Sequence, residues 1–127
     1  MIFDRTLEFN RELKILKKKW PSLPDDLLII EQVIKTLYVD LDGVDRSTVR
    51  KNFFNSKRAT ILSQTEAYEV IKMRVDCASL GNKDSVRLVC VFIVTKETAL
   101  FVELYSKTGK PRENTARWQK YSSNCVE

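Results

Sequence analysis

The spacing of apolar residues changes once along this chain, and the change dictates its fold class. Phe9, Leu13, Leu16 and Trp20 recur at intervals of four, three and four, which places them on one face of a helix. Leu27, Ile30, Ile34, Leu37 and Leu41 continue in a similar rhythm. After Tyr68 the interval becomes two. Ile71, Met73 and Val75 alternate with Lys72, Arg74 and Asp76, as in a strand with one face buried. Helices grouped before strands predict an α+β fold, not an alternating α/β one.

Local signals place the elements. Pro21 ends the first helix, and the short link around it predicts an antiparallel helical hairpin. Ser22 with Asp25 three residues on resembles a capping box, with Asp in place of the usual Glu. Pro24 fits the first turn of the second helix, Asp25 and Asp26 suit its positive end, and Gly43 suits its C-terminus. Trp20 continues the first stripe and is read as a core anchor. Residues 1–4 are read as a short strand. Residues 44–66 show no clear period and are read as a loop pinned by Phe53 and Phe54, with Arg50, Lys51, Lys57 and Arg58 keeping it soluble in preference to touching an anionic ligand.

Residues 86–94, VRLVCVFIV, form a nearly continuous apolar run, which predicts a central strand buried on both faces, with Arg87 at its start. A turn at residues 96–98 leads to a strand over 99–105. Simple alternation there puts Phe101, Glu103 and Tyr105 on one face, opposite Leu100, Val102 and Leu104. Glu103 is expected to pair with a strand lysine or arginine. A short basic helix is expected over residues 113–122. The expected architecture is one domain over residues 1–127. In it, an N-terminal helical hairpin packs on a small, mainly antiparallel sheet, a short helix follows the last strand, and the other sheet face stays partly open.

Composition narrows the chemistry. There is no histidine, which excludes a histidine base, a Ser-His-Asp triad and histidine metal ligands. Three glycines leave no room for a P-loop or dinucleotide-binding pattern. Any catalysis must use Lys, Arg, Tyr or a carboxylate. Cys77, Cys90 and Cys125 are odd in number and widely spaced, so neither a zinc site nor a disulfide scaffold is expected. No apolar run reaches membrane-spanning length and the N-terminus lacks a signal-peptide core, so a soluble cytoplasmic protein is expected.

Charge is unevenly spread. Residues 1–45 hold seven Lys or Arg against nine Asp or Glu, a net of −2, and residues 46–127 hold fifteen against eight, a net of +7. The stretch from Tyr105 to Tyr121 carries Lys107, Lys110, Arg112, Arg117 and Lys120 against a single acid, Glu113, with Trp118 among them. Lys72, Arg74 and Arg87 add to it from the strands. Cations interleaved with aromatics suit a phosphate backbone with stackable bases. A solvated basic surface has the same composition.

Three local patterns, in this order, resemble the RelE/ParE toxin superfamily of bacterial toxin–antitoxin modules over nearly the whole chain. They are FDRTLEFNRELKILKKKWPSL, the paired runs VIKMRVDC and VRLVCVF, and FVELYSKTGKPREN. The resemblance implies a type II toxin that cuts mRNA in the ribosome by attack of the ribose 2′-OH, without metal or other cofactor. It implies a cognate antitoxin, mRNA and the ribosome as partners, and no membrane. By position, Lys72 matches a strand lysine assigned to proton abstraction, Arg87 the arginine that stabilises the phosphorane, Arg112 a phosphate clamp and Tyr121 a base-stacking or proton-transfer tyrosine. Arg74, Lys107, Lys110 and Arg117 are the expected RNA contacts. Val70 stands where the family carries a second lysine. Other members of the superfamily imply two alternatives: a ParE-like inhibitor of DNA gyrase, and a noncatalytic RNA- or protein-binding module.

Overall fold

In the computed structural model the described residues are 1–38, 51–54, 58–81, 83–110 and 112–124. Their order is β1 (Ile2–Arg5), α1 (Leu7–Lys19), α2 (Leu23–Tyr38), β2 (Ala59–Gln64), β3 (Tyr68–Cys77), β4 (Lys83–Ile93), β5 (Thr98–Ser106) and α3 (Thr115–Asn124). Residues 51–54 add one helical turn. The strands form one sheet in the order β1-β5-β4-β3-β2. β1 runs parallel to β5, and every other pairing is antiparallel. The fold is α+β, with the helical hairpin and the short C-terminal helix in their expected places. Gly43, Leu41, Arg50, Lys57 and Cys125 lie outside the described residues.

The hairpin follows from its stripes and its ends. Thr6 caps α1 by accepting the Phe9 N–H at 3.1 Å, and Lys17, Lys18 and Lys19 sit at its negative end. Phe9, Leu13 and Trp20 are buried, and so are Leu23, Leu27, Ile30, Ile34 and Leu37 of α2. The capping box does not form as expected. The Ser22 hydroxyl donates to Asp26 at 2.8 Å, not to Asp25, and accepts the Ser79 N–H at 2.8 Å. Asp26 also accepts the Ala78 N–H at 3.3 Å. The start of α2 is therefore clasped to the turn after β3. Because Asp26 is buried, Asp26→Ala leaves the Ala78 N–H without this acceptor and takes one partner from the Ser22 hydroxyl. A loss of about 1–3 kcal/mol in urea unfolding is expected, and an unchanged midpoint would contradict the clasp.

The sheet departs from the sequence reading in two places. Part of the stretch read as a loop, Ala59–Gln64, is an edge strand. Only Ala59 in it is buried, and a bulge between Ile61 and Ser63 breaks the two-residue period, so the usual strand signal is lost. The second departure is in β5. Cys90 faces Phe101 while Val89 faces Glu103, so Val102 is an extra residue. Phe101 and Leu104 therefore join the hairpin-side core, and Val102 and Tyr105 pack on the opposite side. Simple alternation had put Phe101 with Tyr105.

Those registers order the sheet face away from the hairpin into three rows. Val70, Val91 and Leu100 form the first, and Lys72, Val89 and Glu103 the second. The third holds Arg74, Arg87 and Tyr105, extended by Arg58, whose carbonyl accepts the Arg74 N–H at 2.9 Å. Trp118 and Tyr121 of α3 pack on the apolar part of this face. α3 thus covers one end of the face expected to be open and leaves the basic rows at the other.

Candidate functional site

The third row puts three arginines side by side, Arg74 and Arg87 on adjacent strands and Arg58 just before β2. Like charges directly opposite one another destabilise a strand pair, so such a row suits a site that receives an anion. Arg58, Arg74 and Arg87 line a groove of about 140 Å³ together with Thr60, Lys72 and Lys107. Arg87 is 5% exposed and donates to the Val86 carbonyl at 3.2 Å, so its guanidinium belongs to the groove floor. Arg58 is held by an ion pair with Asp76.

Behind Lys72 stands a carboxylate. Lys72 Nζ lies 3.1 Å from Glu113 Oε2, and the Tyr105 hydroxyl donates to the same oxygen at 3.5 Å. Burial raises the Glu113 carboxyl. Its own backbone N–H and the Lys72 ammonium outweigh that and hold it below the usual carboxylate range. Burial, followed by the Glu113 and Glu103 carboxylates, pushes the Tyr105 phenol up to about 12. At neutral pH the cluster therefore presents an ionised carboxylate and a neutral phenol beside Lys72.

The expected site residues divide into groups. Lys72, Arg74, Arg87 and Lys107 meet in the groove. Arg112 is exposed and outside the groove wall, and its charge acts on Glu113. Lys110 pairs with the fully buried Glu103 and lies 5.1 Å from the Tyr105 ring centre. Glu103 also accepts the Asn114 N–H at 2.8 Å, so it ties the turn after β5 to the start of α3. Its partner is this turn lysine, not the strand cation expected.

Arg117 and Tyr121 serve the far edge of β5. β1 pairs with β5 only as far as Phe101. Beyond it, Glu12 accepts the Leu104 N–H at 3.1 Å and Arg117 donates to the Val102 carbonyl at 3.2 Å. Arg117 also bonds Glu12 at 2.8 Å, and the Tyr121 hydroxyl donates to Glu8. These contacts close an edge that would otherwise offer unpaired backbone groups. Arg117→Ala is expected to cost about 1–3 kcal/mol of stability while leaving oligonucleotide affinity unchanged. A parallel fall in affinity would return Arg117 to the interface.

Glu113 and Thr60 enter the site from the structure, Arg58 joins it from the segment read as a soluble loop, and Tyr105 joins it as a donor to Glu113. Glu113 had one sequence signal, as the single acid in the basic run between Tyr105 and Tyr121. Among the described residues no helix is long and apolar enough to cross a membrane. No protein-family model matches the chain, and no curated protein or solved structure matches it.

Proposed function

We propose that this protein is an endoribonuclease of the bacterial toxin type, cutting mRNA on the ribosome and neutralised by a cognate antitoxin protein. The observation that carries the reading is the cationic groove with Lys72 at its wall and Glu113 paired to Lys72 behind it. RNA cleavage by an internal nucleophile needs a base for the 2′-OH, positive charge around the phosphorane, and a proton for the departing 5′-oxygen. Glu113 takes the 2′-OH proton as the O2′–P bond forms. Arg74 and Arg87 stabilise the charge that builds on the phosphoryl oxygens. Lys72 gives a proton to O5′ as the P–O5′ bond breaks, and Glu113 returns its proton to Lys72 across their contact. Protons and charge balance, and the product is a 2′,3′-cyclic phosphate. This assigns the base role to Glu113 and the acid role to Lys72, in place of the lysine base that the family resemblance implies.

The burial of Arg87 favours a second reading, a noncatalytic RNA-binding module on the same scaffold. One experiment separates the two. The protein is added to ribosomes programmed with mRNA, and RNA ends are mapped and typed. Cuts ending in a 2′,3′-cyclic phosphate, abolished by 2′-O-methylation at the cut site, are expected. Bound but intact RNA supports the second reading. DNA breaks at gyrase with intact RNA would overturn both.

A further inference from the structure

A second cavity, of about 340 Å³, lies between α2 and the sheet. Ile29, Ile30 and Val33 of α2 line it with Phe53 and Met73, and Asp76 adds a half-exposed carboxylate. Arg58, Met73 and Arg74 border both this cavity and the cationic groove. The two compartments therefore meet at the Arg58 end of β2 and β3, where a chain-like ligand with its phosphate on Arg58 and Arg74 can turn from one to the other.

The two compartments differ in chemistry. The groove collects cations and suits phosphate. The second cavity has aliphatic walls and one aromatic ring, which suit a flat ring. Its Asp76 carboxylate repels phosphate and accepts from N–H donors. Asp26 also lines it, but it is buried and its Oδ2 takes both the Ser22 hydroxyl and the Ala78 N–H, whereas Asp76 is half-exposed. The Arg58 ion pair holds the Asp76 carboxylate through one oxygen, Oδ2. A nucleobase joined to the phosphate in the groove meets all of these conditions.

We propose that this cavity is a base subsite and that it selects guanine. On its Watson–Crick edge guanine presents two adjacent donors, N1–H and N2–H, which match the two oxygens of one carboxylate. Adenine and cytosine put a ring acceptor beside their amino donor, and uracil puts carbonyls on both sides of its one N–H. Each of these turns a lone pair toward Asp76. Phe53 gives the base a stacking surface. The inference rests on the reading of the groove as an RNA phosphate site, and it adds a sequence preference to that reading.

The test uses the full chain and four uncleavable 2′-O-methyl trinucleotides that differ only at the base expected in the cavity. Affinities are measured by fluorescence anisotropy. The guanine-bearing probe is expected to bind on the order of tenfold more tightly than the others. Asp76→Asn, an isosteric change at a half-exposed position, is expected to erase that preference. Phe53→Ala is expected to weaken all four probes about equally. Equal affinity for the four probes in the unaltered protein, with binding still weakened by Arg74→Ala, would overturn the base subsite and leave the phosphate groove standing. Absence of binding by any probe would overturn the groove reading and the subsite with it.

Discussion

Glu113→Gln is expected to slow the proposed RNA cleavage by roughly 10²-fold to 10⁴-fold, the range for removing a positioned proton acceptor. The substitution keeps the shape of the side chain and removes its charge, so the groove keeps its walls. RNA affinity is expected to hold or rise, because a negative charge beside Lys72 and near Arg112 disappears. The loss therefore falls on kcat and not on KM. A purely structural role for Glu113 predicts unchanged turnover per folded molecule.

The pH profile gives a second readout. Glu113 is held below the usual carboxylate range by its backbone N–H and by Lys72, which prevail over the opposing effect of burial. A base must be ionised to act, so the proposed activity is expected to be level through neutral pH and to fall only in acid, below the usual carboxylate range. The same shift contributes stability that is present above the unfolded-state value and lost as pH falls through the folded-state value. Glu113→Gln should abolish both the acid limb of activity and this part of the acid sensitivity of folding. If the variant cleaves at the original rate, the proton pathway through Glu113 is wrong.

Phe101→Ala is expected to have the largest effect on stability, about 3–5 kcal/mol. Phe101 is fully buried, with its ring centre 5.4 Å from that of Phe9 and 6.1 Å from that of Phe3. Its carbonyl accepts the Thr6 N–H at 3.1 Å. One side chain thus joins β1, α1 and β5. Domains of this size are stable by only about 5–15 kcal/mol, so the variant should unfold at much lower urea. A double-mutant cycle with Phe9→Ala checks the placement, with a coupling of about 0.5–1.5 kcal/mol expected for touching rings. No coupling would mean that β5 lacks the bulge at Val102 and that Phe101 faces away from the hairpin.

The candidate site was partly legible in the chain. Alternation at Ile71, Met73 and Val75 was enough to put Lys72 and Arg74 on one face, because successive strand residues point to opposite sides. Arg87 joined them once β3 and β4 paired in register, with Arg74 opposite Arg87. Arg117 and Tyr121 look like nucleic-acid contacts by residue type. In the fold they close the β5 edge against Glu8 and Glu12, more than a hundred positions away in the chain. No local pattern announces a partner that distant. Glu113 was visible only as an odd acid among cations, and its contact with Lys72 depends on where α3 begins.

The sequence by itself determined the hairpin, the β3–β4–β5 meander and the basic character of the later part of the chain. Helical and strand periods, caps and net charge are properties of neighbouring residues, and these survive without knowledge of the fold. Tertiary structure alone decided that β1 adds in parallel to β5 and that Ala59–Gln64 forms the opposite edge. It also decided that the Val102 bulge turns Phe101 toward the hairpin, and which cations face the groove and which serve as struts. Those outcomes depend on strand register and on contacts between distant segments. A single inserted residue or one remote carboxylate redirects a side chain without changing the pattern around it.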